Sequence, residues 1–284
     1  MVNNRNEFEN LLVKQKQDRQ TLINRDRKEA DREKMVRNVG GENELIEKEF
    51  NELVMSEKEK LKIFFGYEIE VPPFPEEITM ERYLEWKKNG FDLHYLPREK
   101  MDAERNLPGW SKKPTNLFRY IQEGKVVSSA IELPGEWVLI DERAKPNFDD
   151  GNQMYEDDPL AEVIEDLRER GILHDFKIKD SRFAISSVDF EKDEFKKAVG
   201  DFLKVNPDNI RLPHAIEWNF LGNIHCPEWG DTDTWECFDD TYADDSRLHG
   251  GCKSRCGLSD VNFLSSSDDR RPPGGFRLIV SFSE

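Results

Sequence analysis

The sequence predicts an α+β fold, and three observations carry that expectation. Amphipathic helical stretches and short strand-like runs follow one another irregularly, without the βαβ period of a doubly wound sheet. The run LPGEWVLIDE (133–142) places Trp137, Val138, Leu139 and Ile140 in succession, as in a strand buried on both faces. Eighteen Phe and six Trp among 284 residues are enough for a sizeable core, in one large domain or two ordinary ones.

Taken in order, residues 1–38 are polar and charged, and their apolar stripe breaks between Val13 and Leu22. Sustained heptads are missing, so this stretch reads as a charged, partly frayed helix. Gly40-Gly41 interrupts it. Leu45, Ile46, Phe50, Leu53 and Val54 then recur on one helical face. The boundary is placed near residue 61, giving a charged helical arm over 1–61 and a folded domain over 62–284. FFGYEIEVPPFP (64–75) alternates like a strand stopped by prolines. Thr79 caps a short helix with Met80, Tyr83 and Leu84 inward and Gly90 at its end. Asp158-Pro159 and Gly171 bracket a helix over 159–170. Ser181 to Val188 reads as a strand. Glu191 to Leu203 reads as a helix with Phe195, Val199, Phe202 and Leu203 inward, and FRLIVSF (276–282) as a closing strand.

The balance of 42 Lys plus Arg against 59 Asp plus Glu gives a net charge of −17. That charge repels phosphate backbones and anionic lipid, so neither nucleic acid nor a membrane surface is the expected partner. No apolar run reaches bilayer length, and MVNNRNEFEN has no apolar leader segment, so a cytoplasmic location is the expectation. Four cysteines are too few for a disulfide scaffold.

All four lie in one stretch: Cys226, Cys237, Cys252 and Cys256. Only the last two are close together, which argues against the paired spacing of a zinc site. Beside Lys253 and Arg255, Cys252 and Cys256 also suggest a redox or copper-binding pair, the enzymatic alternative. No G-x-S-x-G, Walker A or dinucleotide glycine loop is present, and His94, His174, His214, His225 and His249 share no pattern. Asp149-Asp150 with Asp157-Asp158 lacks the spacing of a calcium loop and reads as a solvated acidic stretch. Neither an enzyme nor a resident cofactor or metal is expected.

The phrases LPGEWVLIDE (133–142), IRLPHAIEWNFLGNIHCPEWG (210–230), TWECFDD (234–240), RLHGG (247–251) and GGFRLIVSF (274–282) cover much of the last 150 residues. They resemble the variable proteins of diversity-generating retroelements of candidate-phylum bacteria and nanoarchaea. The ending is also similar to the formylglycine-generating-enzyme branch of the C-type lectin fold. The resemblance implies a C-type lectin fold over about residues 62–284, preceded by the helical arm. It implies a ligand-binding scaffold whose surface residues are rewritten by adenine-directed mutagenesis. Cys237, where the family has an aromatic residue, and Cys256, where it often has glycine, depart from the pattern. The formylglycine-type alternative is a copper/thiol oxidase using Cys252 and Cys256. The Glu-Pro-Asn and Gln-Pro-Asp motifs of calcium-dependent lectins do not occur.

Codons of the AAC or AAT kind, randomised at adenine, reach Asn, Asp, Ser, Thr, Tyr, His, Arg, Cys and Phe among others, but never Glu, Gln, Lys, Met or Trp. Residues 239–273 contain seven Asp and no Glu, where an even spread of the chain's 33 glutamates would place about four. They also lack Gln, Met and Trp, and Lys253 is the one exception. A variable segment of about 235–273 then needs scaffold and display positions to interleave. Trp235, Phe238, Leu248, Leu258, Val261, Phe263, Phe276, Leu278 and Val280 are expected in the core. Gly250, Gly251, Gly257 and Gly275 are expected to hold special backbone geometry, and Arg247, Arg270 and Arg277 to anchor loops. The candidate ligand-binding residues are Asp239, Asp240, Thr241, Ala243, Asp244, His249, Cys252, Ser254, Arg255, Asp260, Asn262, Leu264, Ser265, Asp268, Asp269, Arg271, Pro272 and Pro273. They are expected on one solvent-exposed face, engaging a protein or other macromolecular ligand of basic or polar character. The arm over 1–61 is expected to tether the protein to an oligomer or a partner protein.

Overall fold

The computed structural model describes residues 48, 50–148, 154, 155, 157–243 and 246–282. The charged arm, the Gly40-Gly41 break, Leu45 and Ile46 lie outside the described residues. Two compact units divide between Leu53 and Val54. In the first, Lys48 and residues 50–53 are helical, and Lys48 pairs with Glu52 at 3.6 Å across one exposed turn. The second unit opens with helix α1 (54–65). Residue 61, where the sequence reading put the boundary, therefore falls inside a helix, with Leu61, Phe64 and Phe65 buried.

The second unit contains helices α2 (Met80–Lys88), α3 (Thr115–Gln122), α4 (Ala161–Glu169), α5 (Ser187–Phe190), α6 (Asp193–Leu203) and α7 (Ala215–Ile224). Its strands are β1 (Phe91–Leu96), β2 (Glu136–Asp141), β3 (Ile210–Arg211), β4 (Trp235–Tyr242), β5 (Ser246–Gly250), β6 (Val261–Phe263), β7 (Gly274–Gly275) and β8 (Ile279–Phe282). The mixture of helices with two sheets is the expected α+β class. One sheet runs β1-β2-β8-β3 and is antiparallel throughout; the other runs β6-β5-β4-β7, with only β4 and β7 parallel.

β2 is buried from Trp137 to Ile140, so its consecutive apolar residues serve both faces of the first sheet. Strand β8 sits between β2 and β3, pairing Val280 with Leu139 on one side and with Ile210 on the other. α7 is the central helix: Ala215 to Gly222 are all buried, and Trp218 stacks on Trp229 with centroids 5.9 Å apart. Phe220 meets Phe64 of α1 edge-to-face at 5.0 Å. No helix among the described residues is long and apolar enough to cross a membrane.

Several sequence expectations fail for identifiable reasons. Phe64 and Phe65 do not begin a strand. They continue the helical stripe of Leu61, and Gly66 (φ 80°) ends α1 with its amide donating to the Lys62 carbonyl. Residues 68–74 form no regular element and join no ladder; Phe74 packs on Trp137 at 4.2 Å and the Pro72 carbonyl accepts from the Trp137 indole. Ser181–Val188 is not a strand either. Arg182 is drawn inward to Asp158, Ala184 adopts φ 58°, and Ser186 caps α5 by accepting from the Asp189 amide. In α2, capped by Thr79 as expected, the inward pair is Tyr83 and Trp86, whereas Leu84 is exposed. α4 starts at Ala161, two residues late: Pro159 and Leu160 form a turn, closed by the Ala161 amide donating to the Asp158 carbonyl at 3.0 Å.

Candidate ligand-binding face

Residues 235–273 form β4, β5 and β6 with the turns between and beyond them. Pairing sets Cys237 opposite His249 and Thr241 opposite Arg247, with a bulge between the two pairs. A bulge re-aims the side chains beyond it, and it falls where Asp239, Asp240 and Thr241 begin the candidate set. Gly250 is required by close approach: an added Cβ would stand 2.0 Å from the Asp260 carbonyl oxygen. Gly251 (φ 92°) and Gly257 (φ 59°) occupy backbone that favours glycine.

Of the candidate residues, Thr241, Ala243, Ser254, Arg255, Ser265, Asp268, Arg271 and Pro272 are exposed. Asp239, Asn262, Asp269 and Pro273 are half-buried. Asp244 lies outside the described residues. Five are buried and correct the sequence reading: Asp240, His249, Cys252, Asp260 and Leu264. Each has a structural task. Asp240 accepts from the Ala215 amide at 2.6 Å, fixing the start of α7, and its other oxygen lies 3.0 Å from His214 Nδ1. Burial works against a charged His214, but this hydrogen bond and the Asp240 charge outweigh it and raise the imidazole to about 9. His249 lies in the middle strand against Trp235 at 4.6 Å, and burial pushes it down to about 3. Asp260 accepts from the Cys252 amide at 3.2 Å, and burial raises its carboxyl to about 6. Leu264 extends the edge ladder, donating its amide to the Arg247 carbonyl at 2.9 Å.

The expected core positions are buried except Phe263, which is 42% exposed. It belongs to β6, the edge strand, and its ring lies flat on Tyr242 at 4.2 Å and 5°. Tyr120 of α3 closes this group edge-on, 4.9 Å from Tyr242. The sequence reading missed this aromatic surface. Tyr242 and Phe263 both fall within 239–273, and that was the signal available.

Depressions adjoin the end of β4. An open cleft of about 1090 Å³ is lined by Asp239, Asp240, Thr241 and Ala243 together with Lys125, Arg98 and Arg211. A groove of about 380 Å³ is lined by Thr241, Arg247, Ser267 and Val188. Thr241 is common to both, so the end of β4 links the cleft to the loop over 264–273. Ser254 and Arg255 occupy a separate turn. The acidic residues are paired: Asp239 with Arg247 at 2.7 Å, Asp269 with Arg271 at 2.8 Å, and Asp268 with Arg270, which also reaches Asp189.

All four cysteines are free thiols. Cys252 is buried with Sγ 3.4 Å from the Asp233 carbonyl, whereas Cys256 is exposed and takes φ 88°. Cys237 is buried, which lifts its thiol to about 12.

Behind the face, Arg277 joins the two sheets. Its guanidinium meets Glu236 of β4 at 2.8 and 3.1 Å and donates to the carbonyls of Asp141 and Arg143 at the end of β2. Arg182 forms a bidentate pair with Asp158 at 2.6 and 2.7 Å and lies 3.0 Å from Asp141. The Tyr155 ring sits under both guanidiniums.

Elsewhere the structure brings together residues that shared no sequence pattern. His94 of β1 and His225, just after α7, stack ring on ring at 3.7 Å. Glu57 of α1 lies beneath them, with Oε1 3.1 Å from His94 Nδ1 and Oε2 3.5 Å from His225 Nε2. Glu142 Oε1 is 2.8 Å from His94 Nε2.

Comparison of the chain with protein families, with curated proteins and with solved structures finds no match.

Proposed function

We propose that this protein is a non-enzymatic ligand-binding protein with a C-type lectin fold, whose face around β4–β6 is diversified by retroelement-directed adenine mutagenesis. The observation that carries the reading is the interleaving over 239–273. Twelve of the candidate residues are exposed or half-buried, while Phe238, Leu248, Leu258 and Val261 between and beside them are buried. A surface that must accept many side chains has to leave its core out of the exchange. The location of Asp239, Thr241 and Ala243 on an open cleft adds to the argument.

The stacked Tyr242 and Phe263 supply rigid contact area of the kind that anchors binding faces. The Asp–Arg pairs around them offer hydrogen bonds without a large excess of negative charge. The ligand is a protein or other macromolecule that presents an apolar group to this patch and polar groups to its rim.

The test is genomic. Beside the gene there should be a reverse transcriptase and a near-copy of the segment encoding 235–284, differing almost only at adenines of the copy. Differences scattered over all four bases, or no such copy, would sink the diversification reading.

A further inference from the structure

We propose that Glu57, His94 and His225 form a binding site for one divalent transition-metal ion of the zinc class. Their ligand atoms all lie within 4.8 Å of one another. Tetrahedral zinc with bonds of 2.0–2.1 Å sets neighbouring ligand atoms about 3.3 Å apart. The Glu57 carboxylate presents one oxygen to each ring at close to that length, Oε1 3.1 Å from His94 Nδ1 and Oε2 3.5 Å from His225 Nε2, so a small turn of the carboxylate sets one oxygen against both nitrogens. Two imidazoles and a carboxylate are a donor set that zinc takes readily.

A second observation points the same way. His225 Nε2 is buried without a hydrogen-bond partner, and it is aimed at Glu57. A buried polar atom left unmatched costs free energy, and a cation seated between it and Glu57 Oε2 removes that cost. The surroundings also match a built site. Glu142 holds the far nitrogen of His94 at 2.8 Å, the carboxylate–histidine arrangement that orients a metal-bound imidazole. Glu57 and His94 come from separate elements, α1 and β1, and both side chains are almost fully enclosed. Ion binding asks for two adjustments: the stacked rings tilt apart so that both lone pairs converge, and Lys60, 3.2 Å from His225 Nδ1, turns outward. Lys60 already has 42% of its side chain exposed.

The full-length chain, stripped with a chelator, is titrated with Zn²⁺ against a chromophoric competitor and with Co²⁺ by visible absorption. One ion per chain is expected, with the intense cobalt bands of a four-coordinate site. Glu57→Gln and His225→Gln should each weaken binding by more than 100-fold, and Glu142→Gln by about 10–100-fold. The Cys252→Ser/Cys256→Ser double variant should bind like the parent. Circular dichroism and melting check each variant for folding; Glu142, partly exposed, is the substitution the fold tolerates best. The proposal is overturned if the parent shows no saturable binding, if binding disappears with the cysteines, or if the folded Glu142→Gln variant binds as tightly as the parent.

Discussion

Arg277 has no exposure to water, so its charge is satisfied by protein alone. Glu236 supplies the counter-charge, and the carbonyls of Asp141 and Arg143 accept from Nη1. Removing one partner of such a pair leaves an uncompensated buried charge. Arg277→Met is therefore expected to cost about 3–5 kcal/mol in urea unfolding. The Arg277→Met/Glu236→Met double variant should recover much of that loss, and equal losses in the single and double variants would contradict this account. His214 belongs at the same scale. Its imidazole, raised to about 9 when folded against 6.5 when free, binds its proton more tightly in the native state. The resulting stabilisation is complete below about pH 6.5 and is lost as pH rises through about 9. Asp240→Asn should flatten the decline in melting temperature between those two values, and an unchanged slope would remove Asp240 as its cause.

Within the elements, the division between buried framework and exposed positions can be measured. Thr241, Ser254, Arg255 and Pro272 are exposed, and substituting each singly should move stability by no more than about 0.5 kcal/mol. Gly250→Ala in β5 should cost more than any of them, about 1–3 kcal/mol or above, because the new methyl meets the Asp260 backbone rather than a side chain that can yield. Comparable melting temperatures across all five variants would refute the division. The sequence made β2, β8 and α6 legible because each is a local pattern: consecutive apolar residues, or one apolar stripe. It misled at 181–188, where Arg182 answers to Asp158 and Ala184 takes a left-handed turn. It misled at 64–65, where the same phenylalanines fit a strand's alternation and a helix's stripe. The alternation of exposed and buried positions over 239–273 was legible in outline. Asp240, Asp260 and His249 were misassigned because codon reach says nothing about burial. The Glu57, His94 and His225 cluster was invisible, since its members meet only after α1, β1 and the end of α7 are in place.

Across the whole molecule, β8 is the strand on which the first sheet depends. It lies between β2 and β3, and Arg277 just before it ties that sheet to the other. A chain ending at residue 275 should lose cooperative melting and become protease-sensitive throughout residues 54–275, not only near its new terminus. Survival of a sharp thermal transition would show that β1, β2 and α7 suffice. The position of β8 also bears on the segment before it. A frameshift or premature stop anywhere from 239 to 273 deletes the strand that the first sheet needs in order to close. Folding is thus sensitive to the reading frame across 239–273: a message garbled there gives a chain that cannot complete its core.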